Sequence, residues 1–377
     1  MKIIVNAVPL SNIATGIGRY LKGLYAEIQR QRPDFVVRYF DGHRLREKMP
    51  TSPHSKTLWA FAVKTAWKIP APLTYCARVV VSRKHARLFL KLAKGFDLYH
   101  EAGYFPFKTV PHVKTVFTLH DLSLKVLPDF HPKDRVLFFK KYFQKAISHT
   151  DAIITPSKFT RKELKRNYPD MDFPVFPIHL GFDKRLFFKQ SARAINALKK
   201  KMDLPSDYVL FVGTSDPRKN IRTIMRAIAL LPASLKLVVT GWRGWGTFMG
   251  KEYDSDDLTD RIIYTDYVAD QDLAALYSGA RVFLYPTYYE GFGLPVLEAM
   301  ACGCPVVCSN LASLPEVTGD AAITCSPDDP NCLAASIYKV FTSDRLYSDM
   351  QHKGLQRART FSWEKTAQKT LEVFTKM

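Results

Sequence analysis

The sequence predicts an α/β protein built from two doubly wound parallel-sheet domains, and three observations carry that expectation. Short apolar runs alternate with helical patterns along the whole chain, as strands joined by crossover helices do. The chain has 377 residues, more than the roughly 250 to 300 at which a single core stops growing. Hydrophobic residues make up 47% of it, so each half can bury a core, which excludes a disordered tail or a small disulfide-stapled module.

In the first half, apolar runs place strands at Ile3 to Val8, Phe35 to Phe40, Phe96 to His100, Thr115 to Leu119, Ala152 to Thr155 and Val175 to Ile178. In the second half they fall at Tyr208 to Val212, Leu235 to Thr240, Arg261 to Tyr264, Val282 to Tyr285, Val306 to Cys308 and Ala321 to Thr324. These runs are rich in β-branched and aromatic residues, which suit a pleated, buried surface. A polar, Lys-rich stretch from Lys184 to Pro205 separates the halves. The expected domains are 1–187 and 188–361, with a terminal helix over 362–377. Ligands of open parallel sheets sit beyond the carboxyl ends of the strands, so the cleft between two such domains is the expected active site.

The formal charge of +20 comes from 55 Lys plus Arg against 35 Asp plus Glu. It is not shared evenly: Met1 to Arg185 holds 33 basic and 14 acidic residues, and the rest 22 and 21. A domain at +19 suits nucleic acid, anionic lipid or a phosphorylated substrate, or is partly ordinary solubilising surface. The segment Lys48 to Phe96 has ten basic residues and no acid, with Trp59, Phe61, Trp67, Tyr75 and Phe89 among them. Arg83, Arg87 and Lys91 recur at helical spacing, the pattern of an interfacial helix on an anionic membrane or of an amphipathic helix covering the sheet.

The N-terminus shows no long apolar h-region, and no stretch approaches the roughly 18 apolar residues of a spanning helix. A cytoplasmic, reducing location is the expectation, with peripheral contact at the inner face of the cell membrane left open. The six cysteines, at 76, 302, 304, 308, 325 and 332, form no Cys-x-x-Cys pair and have no clustered His. Zinc ligation is therefore not expected. The run Cys302-Gly-Cys304-Pro-Val-Val-Cys308 reads as a helix end and a buried strand, with thiols acting as small apolar groups.

The strongest motif is Pro286-Thr-Tyr-Tyr-Glu290-Gly291-Phe292-Gly293-Leu294-Pro295-Val-Leu-Glu298-Ala-Met-Ala-Cys-Gly303. Two glycines after a strand permit close backbone approach to a ligand, Pro295 suits a first helical turn and Gly303 its end. The amides and dipole at such a helix start form an anion cradle that fits a diphosphate. Glu290 and Glu298 can accept hydrogen bonds from sugar and ribose hydroxyls. A second group is Gly213-Thr214-Ser-Asp216-Pro-Arg218-Lys219-Asn220, where two cations at a helix start oppose the dipole unless Asp216 or a phosphate compensates. Arg is a bidentate donor and Lys a point charge, a suitable pair for a leaving diphosphate. In the first half, Thr15-Gly16-Ile-Gly18 opens a helix after the first strand. Leu21 stands where a dehydrogenase fingerprint needs its third glycine. His120-Asp121 ends the Thr115 strand, where side chains reach the ligand crevice.

Together these residues resemble the retaining glycosyltransferases of family 4, which have the GT-B architecture of two Rossmann-like domains facing a cleft. The likeness spans nearly the whole chain, including Leu314-Pro-Glu316-Val-x-Gly319-Asp-Ala-Ala and Phe361-Ser-Trp363-Glu, whose helix in the family crosses back onto the first domain. The resemblance implies that Glu290 contacts the donor sugar, Glu298 the ribose, and Arg218 and Lys219 the diphosphate. It implies that Gly16 lines the phosphate site and that His120 touches the transferred sugar. Gly18, Gly213, Thr214, Val268, Gly291, Phe292, Gly293 and Leu294 complete the expected donor set, with the base near Tyr264 to Val268. Thr214 stands where many relatives have Arg. The Gly-Thr-x-x-Pro-Arg-Lys-Asn variant is similar to that of bacterial polysaccharide mannosyltransferases, making GDP-mannose the leading donor.

Cleaving the bond from anomeric carbon to phosphate builds negative charge on the diphosphate, so fixed cations and helix amides aimed there lower the barrier. Asp170-Met-Asp172 and Asp254-Ser-Asp256 lie in polar stretches and not after strands, so no metal site and no cofactor is expected. The expected acceptor is a lipid-linked or polysaccharide glycan. Two alternatives stand beside this reading. A nucleotide-sugar epimerase could share the two-domain plan, and a nucleic-acid-binding protein would explain the charge but lacks a recognition motif.

Overall fold

In the computed structural model, residues 1–11, 16–50, 70–241 and 256–377 are described. The chain divides into two compact units, Met1–Gly181 with Trp363–Met377, and Phe182–Ser362.

Among the described residues the first unit has seven strands: β1 (Lys2–Asn6), β2 (Val36–Phe40), β3 (Leu45–Arg46), β4 (Leu98–Glu101), β5 (Lys114–Thr118), β6 (Ala152–Thr155) and β7 (Val175–Pro177). They lie in the order β3-β2-β1-β4-β5-β6-β7. All pairs are parallel except β2 with β3, a short antiparallel edge. That edge follows a tight turn in which Asp41 accepts from the backbone N–H groups of His43 and Arg44. The two residues of β3 carry no apolar run, so no sequence pattern announces them. Strand β1 stops at Asn6, and Val8–Ser11 wind into a 3₁₀ turn instead of extending the strand. Strand β4 instead runs on to Glu101, one residue past the expected apolar run.

The terminal helix Trp363–Thr375 packs on the Gly16–Gln31 helix of the same unit. Gly23 makes this possible, because a Cβ there would lie 2.2 Å from Trp363. Trp363 sits edge-on to Tyr20, and Phe374 to His100. The helix Ala71–Leu92 buries Phe89 against Phe40, Tyr99 and Phe107. Arg83, Lys84, Arg87 and Lys91 on it are exposed, as are Leu73, Val80, Val81 and Leu90. Trp59, Phe61 and Trp67, on which the interfacial reading partly leaned, lie outside the described residues.

Among the described residues the second unit has six strands: β8 (Tyr208–Val212), β9 (Lys236–Thr240), β10 (Ile262–Asp266), β11 (Val282–Tyr285), β12 (Val306–Ser309) and β13 (Ala322–Cys325). Their order is β10-β9-β8-β11-β12-β13, all parallel. The direction of winding reverses between β8 and β11, the switch point at which such sheets bind ligands. Cys302, Cys304 and Cys308 are buried, and burial raises each thiol pKa. Cys325 and Cys332 are bridged, a pairing across a strand end and a helix start that no spacing rule suggested.

Candidate functional site

In the second unit, the loops leaving β8 and β11 meet at the switch point. Asp216 caps the 3₁₀ turn Pro217–Lys219, accepting from the Arg218 N–H. Asn220 then takes a left-handed conformation (φ 60°), caps the helix Ile221–Ala229, and donates to the carbonyls of Pro286 and Pro327. This Asn ties the cation-bearing turn to the Glu290 loop. A further tie is the Tyr288 N–H, which donates to the Arg218 carbonyl at 2.9 Å.

The cations are compensated separately. Arg218 Nε donates to Asp216 Oδ2 at 2.6 Å and Nη1 to the Tyr289 carbonyl at 3.3 Å. Lys219 Nζ donates to Glu290 Oε1 at 2.5 Å and to Tyr285 Oη at 2.6 Å, while the Tyr285 O–H reaches the same carboxylate oxygen at 3.2 Å. Both Lys219 and Glu290 are buried. Burial lowers the Lys219 pKa, with the Glu290 carboxylate opposing that shift, and burial raises the Tyr285 hydroxyl well above its usual range. Asp216 or a phosphate is the counter-charge expected from the sequence; for Lys219 the protein itself supplies Glu290, 71 residues away. Tyr285 belongs to this cluster and was missed, because a tyrosine closing an apolar strand looks like core.

Glu298 is buried on the helix Leu294–Ala301, whose N-cap is Gly293. Gly293 has φ 100°, and a Cβ there would lie 2.6 Å from Leu314. Only glycine meets both demands without strain. Ser313 donates to the Glu290 carbonyl at 2.8 Å, so the Ser313-Leu314 stretch acts as the floor of this loop. Gly291, Phe292 and Leu294 are buried in it, with Phe292 edge-on to Phe361. On the other side of β8, the Gly213 N–H donates to the Thr240 carbonyl, and Thr214 is exposed. Gly241, which no motif singled out, has φ 137°, and a Cβ there would lie 2.0 Å from the Gly213 carbonyl oxygen. Val268 is buried just after β10. The hydroxyls of Ser215 and Thr287, buried in the same two loops, have no protein partner among the described residues.

In the first unit, Gly16 and Gly18 begin the first helix, Gly18 buried and Gly16 exposed. Thr15 of that motif lies outside the described residues. His120 follows β5, and its Nε2–H donates to the Ala102 carbonyl at 3.1 Å. Burial lowers its pKa, so the ring is held neutral. Tyr20 packs edge-on against it at 5.0 Å. Asp121 turns away from that role, accepting from the Ser123 N–H and O–H. Asp170 and Asp172 are exposed, and Asp254 lies outside the described residues. Among the described residues no group of three or more His, Cys, Asp or Glu is placed to hold a metal ion.

Comparison with known proteins decides the family. Residues 206–343 match the model for glycosyl transferases group 1, and residues 14–185 match that for Glycosyltransferase Family 4. O-antigen chain mannosyltransferase B of Escherichia coli is 33% identical over 392 aligned positions, covering 99% of both chains. The chain belongs to glycosyltransferase family 4. The architecture of this glycosyltransferase is GT-B. Sucrose-phosphate synthase from Thermosynechococcus elongatus superposes with a TM-score of 0.74 at 21% identity, covering 100% of this chain and 98% of that one. Anabaena HepE, solved with UDP and glucose, gives 0.70 at 16% identity over the full length of both. At those identities the likeness shows the fold alone.

Within the glycosyltransferase, hydrogen bonds of the second unit join Arg218 to the Tyr289 carbonyl and Lys219 to Glu290, with the buried Gly291–Leu294 turn next in the chain. His120, Gly16 and Gly18 stand in the first unit with their own supports.

Proposed function

We propose that this glycosyltransferase moves mannose from GDP-mannose, with retention of anomeric configuration, to a lipid-linked or polysaccharide acceptor in bacterial surface-glycan synthesis. The observation that carries the reading is the buried Lys219–Glu290 pair, hydrogen-bonded to Tyr285 at the switch point of the second unit. The choice of mannose is supported by the end-to-end likeness to a protein named O-antigen chain mannosyltransferase B.

In this reading Lys219, Arg218 and the amides at the start of the Leu294–Ala301 helix receive the charge that develops on the leaving diphosphate. Being preorganised by Asp216, Glu290 and Asn220, they need no reorganisation as the bond breaks. These fixed cations do the neutralising that a divalent ion would otherwise do, so turnover is expected to survive chelation. Glu290 fixes the donor sugar and Glu298 the ribose, while the buried loop that holds them excludes water. Retention follows if the acceptor hydroxyl attacks from the face of the departing phosphate, whose oxygen takes the proton. His120, neutral and singly oriented, offers one fixed nitrogen to the sugar. Neither an epimerase nor a nucleic-acid-binding protein finds support in the relatives, and neither is proposed.

The surplus charge of the first unit is assigned to an anionic membrane that presents the acceptor. The exposed Arg83, Lys84, Arg87 and Lys91 are interspersed there with exposed Val80, Val81 and Leu90, a basic surface suited to anionic headgroups. Among the described residues, no helix is long and apolar enough to cross a membrane. Co-sedimentation with anionic vesicles is expected to weaken when those four cations are neutralised, and equal binding would overturn the assignment.

The donor is tested by thermal shift with GDP, UDP, ADP and dTDP, since a ligand bound only by the folded state raises stability with its concentration. GDP is expected to give the largest shift. A larger shift with UDP, ADP or dTDP would replace the GDP reading.

A further inference from the structure

We propose that Glu101 is a positioning residue for His120: its buried carboxylate, gripped by Asn6, Tyr99 and Gly103, fixes the loop whose Ala102 carbonyl selects the His120 tautomer. The sheet order places β1 and β4 side by side at the switch point of the first unit, where the loops leaving them diverge. Asn6 ends β1 and Glu101 ends β4. Asn6 Nδ2–H donates to Glu101 Oε2 at 2.7 Å, and the Tyr99 O–H donates to the same oxygen. The Gly103 N–H donates to Oε1 at 2.5 Å.

The three groups offer hydrogens, and an ionised carboxylate offers only acceptors, so donor and acceptor match. The network extends into both diverging loops. Asn6 Oδ1 accepts from the Val8 N–H at 3.1 Å, and Tyr99 Oη accepts from the Phe107 N–H at 3.3 Å. Gly103 has no room for a side chain, because a Cβ would lie 2.7 Å from Glu101 Oε1 and 2.9 Å from Pro9.

Glu101 is fully buried and is held by three neutral donors. Burying a carboxylate without a cation costs stability, so packing alone gives no reason for a Glu here. The product of the arrangement is the fixed Ala102, pinned between two anchored neighbours. Its carbonyl can only accept, so the neutral His120 ring carries its proton on Nε2 and its lone pair on Nδ1. The consequence for turnover rests on the proposed role of His120 at the transferred sugar; the tautomer does not.

The test is Glu101→Gln in the full chain, where an amide N–H₂ must face at least one of the three donors. The His120 ring is read by long-range proton–nitrogen NMR, its signals assigned by their loss in His120→Gln. The Nε2–H tautomer is expected in the parent and a mixture of tautomers in Glu101→Gln, with kcat lower by on the order of 10- to 100-fold and the donor KM little changed. Tyr99→Phe removes one of the three donors but keeps the carboxylate, and is expected to shift both readouts less in the same direction. It carries the test if Glu101→Gln does not fold. An unchanged His120 tautomer in the folded variant would overturn the proposal, whatever happens to kcat. A changed tautomer with unchanged kcat would uphold the positioning role and reject the role of His120 at the sugar.

Discussion

Lys219 Nζ and Glu290 Oε1 lie 2.5 Å apart, both buried, with Tyr285 Oη hydrogen-bonded to each. The pair joins the loop after β8 to the loop after β11, so one interaction both shapes the crevice and places a cation in it.

Removing Lys219 strands the carboxylate. Lys219→Met is expected to cost about 3 to 5 kcal/mol of stability, the usual loss when one partner of a buried ion pair is deleted. Adding Glu290→Gln removes the stranded charge and is expected to restore much of the melting temperature without restoring turnover. Melting curves and donor-turnover assays on the two variants check this; recovery of turnover in the double variant would rule out a chemical role for the cation.

Gly241→Ala is expected to unfold the β8–β9 junction or weaken donor binding strongly. A methyl cannot share space with the Gly213 carbonyl at 2.0 Å, and the φ of 137° disfavours any side chain. Thermal melts with and without GDP measure both effects. A stable variant that binds GDP normally would show that this junction is more pliable than it looks.

Gly23→Ala tests the helix packing in the first unit. The added carbon would fall 2.2 Å from the Trp363 indole, and overpacking of this kind costs roughly 1 to 3 kcal/mol. Denaturant unfolding of Gly23→Ala alone and with Trp363→Leu is the check, the second change being expected to return part of the loss.

Burial pushes the Glu101 carboxyl up to about 7 from 4.5. A folded pKa above the unfolded value means that the native state holds the extra proton, so this group's contribution to stability falls as pH rises from about 4.5 to 7. By linkage the change is on the order of 3 kcal/mol. Among the described residues, the titratable group in contact with it is Tyr99, beside Asn6 and the Gly103 backbone. Because the ionised form is the one that matches three donors, turnover is expected to rise over the window in which stability falls. Parallel pH series of unfolding and turnover, with Glu101→Gln flattening the stability slope, check the opposition.

Both sheets were legible in the sequence because a buried parallel strand must be a continuous apolar run, as Tyr208 to Val212 and Val282 to Tyr285 are. The edge strand Leu45–Arg46 was not, since two residues on a sheet margin need no such run. Glu290, Arg218 and Lys219 stand out in the sequence because glycines and opposing charges break ordinary patterns. Tyr285, Gly241 and Glu101 were passed over. Tyr285 and Glu101 close apolar strands and look like core or margin, and only the packing of β1 against β4 brings Asn6 to Glu101. Pairings across 71 or 95 residues leave no local trace.

The most direct measurement follows purified enzyme with GDP-mannose and a lipid-linked glycan acceptor, reading GDP release and the anomeric configuration of the product by NMR. An α-linked mannose and released GDP are expected, with turnover lower by about 100-fold or more in Lys219→Ala and Glu290→Ala. Unchanged turnover in both variants, or a product with inverted configuration, would contradict it.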